Sequence, residues 1–562
     1  MPSMLRAGLS AVALMGAGFN AGFAQSDPAP DWADQADALI EAHWTAQTPG
    51  VSVLVRQNGD VVYARGAGLA NLETGDAVTP DTVFRLASIT KQFTAAVILQ
   101  LVDEGALSLD DTIGDLFEGF DAPSASATVR QLLNHTSGIQ SYTSIPGWMV
   151  EANTNRAYTT DALIAEFSEL PAPNAPGETY AYNNSGYVLL GAIIEMKTGM
   201  AWHEAVEARI AEPLGLETLR YGGDSASMAN MASGYTLNDD GEIEASTPIH
   251  MSVPHAAGAL IANTQDLALW LEALHGGEIV SPALYQQMTA PTQMADGTEI
   301  PYGFGLSVDD VRGHPAIGHS GGIFGFNTDS VYVPDDNLYV TVLANSDQPP
   351  LDAGVLMRRI ASYALNDPYP LFEAVETDLT SLEDLYGVYA IEGTDDTRQF
   401  FARDGQLYTL RSGGSTSEVF PAGDNRFFYG PNSLTWFEIV SSSDGTSQMN
   451  MYQQGASEAE PALWSGPVPE QPDVIELPAS TLEAYVGAYA LGAAVLEIRF
   501  TETGVLEAQL TGQDPIAINA ISDVEFLVSG VDARLVFSSG DPAPSVTLQQ
   551  SGQEILAERV TE

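Results

Sequence analysis

The sequence predicts an α+β domain built on one antiparallel sheet with helices, followed by two small all-β modules. Apolar alternation opens the chain at residues 51–55 and returns from about residue 303, so strands flank a long stretch of helical spacing. Asn58-Gly59 between two alternating runs is a strong hairpin signal. Beyond residue 380, Leu382-Glu383-Asp384-Leu385-Tyr386-Gly387-Val388-Tyr389 recurs 100 residues later as Leu482-Glu483-Ala484-Tyr485-Val486-Gly487-Ala488-Tyr489.

Taken in order, residues 30–45 read as a helix, and 51–55 and 61–63 as the two arms of the hairpin. Residues 88–105 are apolar on most faces and stop at Gly105, as a buried helix does. Helical runs follow at 129–133, 162–170, 187–197 and 267–274, and strands at 303–308, 319–325, 329–333 and 338–344. The first and last strands are expected to share the sheet, which closes the domain at about residue 365. In the repeat, Asp404-Gly405 and Arg426-Phe427-Phe428 have counterparts in Thr503-Gly504 and Glu525-Phe526-Leu527 at a spacing of 99, which marks a duplication. A proline-bearing linker, residues 466–472, separates the copies.

The 562 residues carry 74 acidic and 20 basic side chains, a formal net charge of −54, which disfavours nucleic acid and anionic membranes. Cysteine is absent, which removes disulfides, a thiolate nucleophile and cysteine-based metal sites. Eight histidines show no His-Glu-x-x-His pattern, so neither a metal nor a cofactor is implied. Arg6, an apolar run at 7–18 and Gly22-Phe23-Ala24 read as a secretory leader cleaved after about Ala24. A periplasmic or secreted protein without a membrane-spanning segment is expected.

Only two lysines occur, Lys91 and Lys197, yet one stands three residues after a serine. On a helix, Ser88 and Lys91 share a face, and a serine hydroxyl needs such a base within reach. Arginine cannot serve, because it does not deprotonate in proteins. No Gly-x-Ser-x-Gly elbow competes: Ser137 lacks its glycines, and Ser320, between Gly318 and Gly322, stands in a run read as a strand that leads into another strand, not at the strand-to-helix turn an elbow needs. Lys197-Thr198-Gly199 ends an amphipathic run and reads as a helix C-terminus.

Ser88-Ile89-Thr90-Lys91, Tyr182-Asn183-Asn184 and His319-Ser320-Gly321-Gly322 together resemble the three ordered motifs of the penicillin-recognising serine hydrolases. The nearest branch holds class C β-lactamases, DD-peptidases, esterases and D-aminopeptidases. His135-Thr136-Ser137-Gly138 and Tyr302-Gly303-Phe304-Gly305 are also similar, and the resemblance covers about residues 35–350. It implies Ser88 as acylated nucleophile, Lys91 as its proton acceptor and Tyr182 as the relay to the leaving group, with a pKa lowered by Lys91. Asn184, His319, Ser320 and Gly321 would bind or orient substrate, and the backbone N–H groups of Ser88 and Gly322 would form the oxyanion hole. His319 replaces the commoner lysine, a variant found in D-aminopeptidases and some esterases, and would hold a substrate carboxylate only while charged.

The resemblance further implies a β-lactamase/transpeptidase-like domain at 25–365, a linker at 366–380, and lipocalin-like barrels at 381–463 and 479–562 joined by a linker at 464–478. The function expected is an exported hydrolase of D-amino-acid peptides or amides. A carboxylic-ester hydrolase, a weak β-lactamase and a non-catalytic sensor of peptidoglycan fragments stand as alternatives. A small peptide, amide or ester is the expected partner, and homo-oligomerisation is compatible with the plan.

Overall fold

The computed structural model describes residues 30–560 apart from 121–122, 224–227, 239, 442–446, 471, 492–493, 502, 512 and 551–552. The leader expected at 1–24 lies outside the described residues. Numbered in chain order, the principal elements of the first domain are α1 (Ala33–His43), β1 (Val51–Gln57), β2 (Asp60–Ala67), α2 (Thr90–Asp103), α3 (Asn184–Thr198), α4 (Thr264–His275), β3 (Ser307–Val311), β4 (His314–Ile323), β5 (Phe326–Val333), β6 (Leu338–Ala344) and α5 (Ala353–Ala364).

The six strands form one antiparallel sheet in the order β3-β4-β5-β6-β1-β2, so the two ends of the domain meet where Val51 pairs with Ala344. Strand β6 is buried along its whole length, and its central place in the sheet explains why its sequence is apolar apart from Thr341, whose hydroxyl donates to the Leu54 and Thr264 carbonyls. Val340 and Val342 pack into a core with α1 and α5, whereas Tyr339 and Leu343 join the larger core beneath α2, α3 and α4. In that larger core the rings of Phe93 and Trp270 stack 4.3 Å apart, joining α2 to α4. Most of α2 is buried, which accounts for its apolar residues on nearly every face.

One expected strand is displaced. Residues 303–306 are a buried turn and the strand begins at Ser307, because Gly305 has φ +70° and lies against the backbone of Lys91. Strand β4 starts five residues before the expected position, and α3 starts three residues early at Asn184, where the Asn183 side chain caps it. Lys197 sits in the last turn of α3, exposed and followed by Gly199 in the left-handed conformation, as its sequence context indicates.

The duplicated segments form two closed eight-stranded barrels whose strands pair in chain order, the first from Gly387–Ile391 to Glu460–Gly466 and the second from Gly487–Leu491 to Gln553–Arg559. Each begins with the same device: the hydroxyl of Tyr389 donates to the Leu385 carbonyl at 2.6 Å, and that of Tyr489 to the Tyr485 carbonyl at 2.8 Å. The glycine two residues before each tyrosine leaves room for a large side chain from the last strand, Trp464 in the first barrel and Arg559 in the second. Phe400, Phe427, Phe437 and Met449 fill the first barrel, and Phe526, Phe537 and Ile498 the second. The first barrel docks on the α5 side of the sheet, where Leu434 enters the core shared by α1 and α5. The second meets the first through Thr416 and Gly530 and through Gly413 and Asp532.

Candidate active site

Ser88 stands in a 3-10 turn, Ala87–Ile89, that runs directly into α2. Ala87 has φ +49°, a left-handed conformation that costs a residue with a side chain roughly 1–2 kcal/mol. His135 and His255 adopt the same region, at +62° and +45°. Strained non-glycine residues thus surround the serine, and the packing around them holds that strain.

Lys91 is fully buried: its Nζ lies 3.1 Å from Ser88 Oγ and donates to Asn184 Oδ1 and to the Ala257 carbonyl, each at 2.9 Å. No carboxylate faces it; the rings of Tyr182 and Tyr187 lie 4.7 and 5.4 Å from Nζ. Burial therefore drives its pKa well below the ordinary lysine value. Two of its three neighbours can only accept, so a neutral amine spends both hydrogens on Asn184 and Ala257 and turns its lone pair to the Ser88 hydroxyl. The segment supplying Ala257 is fixed to α2 by Thr94, whose hydroxyl donates to the Ala256 carbonyl, and by Thr90, whose hydroxyl accepts from Leu260 N–H.

Asn184, the first residue of α3, also donates from Nδ2 to Thr143 Oγ1, so its amide is committed to orienting Lys91. The pKa of Tyr182 is raised by desolvation, opposed by the Ser88 hydroxyl, although 41% of the residue is exposed. The depression expected from Lys91 is not found. The reason is that the cost of desolvating the phenolate outweighs what its neighbours offer.

A buried chain of hydrogen bonds lies behind these residues. Asn183 N–H donates to His135 Nδ1, His135 Nε2 meets Tyr302 Oη at 3.1 Å, and Tyr302 Oη meets His319 Nε2 at 2.9 Å. The last ring closes on the Ser320 carbonyl through Nδ1 at 2.6 Å. Because its Nδ1 accepts from Asn183, His135 is neutral with its proton on Nε2, while His319 donates from Nδ1 to the Ser320 carbonyl. Burial, reinforced by Lys91, lowers the pKa of His319 to about 3, and that of His135 well below its usual value. His319 is thus held in the neutral form at ordinary pH, where it carries no charge for a substrate carboxylate. His135 and Tyr302 were visible only as resemblance motifs; neither spacing nor periodicity signals a polar chain assembled from three distant loops.

Strand β4 passes the Ser88 turn at an unpaired edge. Strand β3 pairs with residues 314–318 only, which leaves 319–323 open on that side. At Gly321 a Cβ would strike the Leu86 carbonyl and Thr328 Oγ1, so only glycine permits this approach. Gly322 is exposed and lines a cavity of about 420 Å³ together with Ser88 and Asn184. Its other walls are mainly apolar: Tyr142, Met149, Ile249, Val253, Phe324 and Phe326. His319, Ser320 and Gly321 line an adjoining cavity of about 540 Å³, which shares Gly322 and Asn327 with the first and reaches Asn432 and Thr435 of the first barrel. The arrangement suits acyl transfer: a base-activated serine, an open strand edge for an extended substrate, and one space on either side of Gly322. Among the described residues no cluster of histidine and carboxylate side chains could hold a metal ion.

The beta-lactamase family model matches residues 36–365. Penicillin-binding protein 4* of Bacillus subtilis (strain 168) is 27% identical over 433 residues, covering 72% of this chain and 93% of that protein. A D-aminopeptidase of Gluconobacter oxydans is 28% identical over 345 residues, 61% of this chain and 63% of its own length. The octameric penicillin-binding protein homologue from Pyrococcus abyssi superposes with a TM-score of 0.53 at 26% identity, covering 77% of this chain and 98% of that one. With the family model spanning more than half of its length, this chain belongs to the beta-lactamase family of serine hydrolases.

Proposed function

We propose that the chain is an exported aminopeptidase or amidase that cleaves D-amino-acid peptides or amides through an acyl-Ser88 intermediate. Lys91 takes the Ser88 proton, the carbonyl oxygen settles against the N–H groups of Ser88 and Gly322, and Tyr182, a neutral phenol, hands a proton to the departing amine. Lys91 passes the proton it took to the Tyr182 phenolate, which restores both groups; water then attacks the ester with Lys91 again as base, and the departing Ser88 oxygen recovers a proton from Lys91.

The observation that carries the substrate class is the want of a free cation. His319 is neutral, and Arg358, the one basic side chain lining either cavity, is paired with Asp309. A substrate defined by a carboxylate next to the scissile bond finds no counter-ion there, whereas an amine finds acidic walls. The likeness to the Gluconobacter D-aminopeptidase supports the same reading, and the octameric Pyrococcus homologue supports self-association.

The test is a panel of D- and L-aminoacyl p-nitroanilides, p-nitrophenyl butyrate and a chromogenic β-lactam, run on the wild type and Ser88→Ala. Ser88-dependent turnover of the D-anilides at least about tenfold above the L-forms is expected. A dominant rate on the butyrate or the β-lactam overturns the peptidase assignment. No turnover and no fluorophosphonate adduct at Ser88 would make the chain a binder.

A further inference from the structure

The apolar cavity beside Ser88 contains one charged side chain, Asp347. Its Oδ2 accepts from the N–H of Gly325 at 2.8 Å, while its Oδ1 is buried without a hydrogen-bond partner, and it enters no ion pair among the described residues. A buried carboxylate oxygen left unsatisfied is costly unless something supplies a donor. Arg85 lies over the ring of Phe326, a wall of this cavity, 5.4 Å from its centroid.

The position of Asp347 along the cavity follows from the chain. It is held by Gly325, three residues beyond Gly322, whose N–H faces the reacting carbonyl in the proposed mechanism. Gly325 lies in the two-residue turn between β4 and β5, beyond the Ile323–Phe326 pair. An α-ammonium, two bonds from the acyl carbon, sits only about 2.5 Å away and stays beside Ser88. A lysine-type side chain carries its ammonium about 7 Å out on a four-carbon stem. Met149, Ile249, Val253 and Phe324 are the kind of surface along which such a stem buries.

Resting on the aminopeptidase reading, we infer that this cavity is the subsite for an acyl residue with a long cationic side chain, lysine or ornithine in type, and that Asp347 is its specificity-determining residue. Such a residue would place its methylenes against the apolar walls and its ammonium on Oδ1.

The experiment compares lysyl with norleucyl substrates, which differ at the chain end only, each as p-nitroanilide and as methyl ester. The wild type should favour lysyl by about tenfold or more in kcat/KM, and Asp347→Asn should bring the ratio near one. A wild-type ratio of one or below overturns the subsite without any variant. An equal loss on both substrates in Asp347→Asn also overturns it, because Asp347 would then merely brace the Gly325 turn. The leaving group separates the two claims: a lysyl preference confined to esters keeps the subsite and sinks the peptidase, whereas anilide turnover without that preference does the reverse.

Discussion

Lys91 is the residue on which the chemistry turns, and its burial without a counter-ion has two measurable effects. Lys91→Met should lower Ser88-dependent turnover by about 10²–10⁴-fold. It should also match or exceed the wild type in urea resistance at pH 6–7, because a lysine with a depressed folded pKa weakens the fold below its unfolded value of about 10.4. That excess should shrink as pH rises toward 10. A variant that is both inactive and markedly less stable at neutral pH would contradict this account. His319, with a pKa of about 3, should add no inflection to kcat/KM between pH 5 and 8. The serine and lysine were legible from a motif and from the scarcity of lysine. The state of His319 was not, because it is set by burial first and then by Lys91, both of which depend on stretches of the chain far from residue 319.

At the scale of single elements, β4 and β5 hold the site from behind. On β5, Asp329 lies opposite Ser320, and burial raises its pKa to about 7. Ser330 N–H and Arg358 counter that rise, and Asp352 and Asp309 add to it. A carboxyl whose folded pKa is raised supports the fold while protonated, so its contribution is full below about pH 4 and is lost as pH climbs through 7. Asp329→Asn should therefore gain urea resistance over the wild type as pH rises from 5 to 8. An unchanged difference across that range would show that Asp329 ionises normally. Element types were readable from apolar period, and β6 was read to the residue because both its faces are buried. The stretch 303–308 misled because a buried turn rich in Phe and Leu has the composition of a strand. Only the packing of Gly305 on Lys91 distinguishes the two.

At the scale of the whole molecule, a formal net charge of −54 sets the self-repulsion that every core must overcome. The melting temperature should rise steadily from 0.05 to 1 M sodium chloride as screening shortens the reach of that repulsion. A flat or falling curve would mean that local pairs dominate instead. The three-part plan was legible because the repeat kept its Gly and Tyr in register. The docking of the first barrel through Leu434 was not, since one leucine in a loop carries no periodic signal.

Both barrels keep their opening Tyr and Gly, yet the partner that occupies the glycine's space is an indole in one and a guanidinium in the other. Their interiors are plugged by their own aromatic and aliphatic side chains. Neither barrel is a vessel, which leaves the outer walls and rims as the surfaces each copy presents, and the two copies need not present the same one.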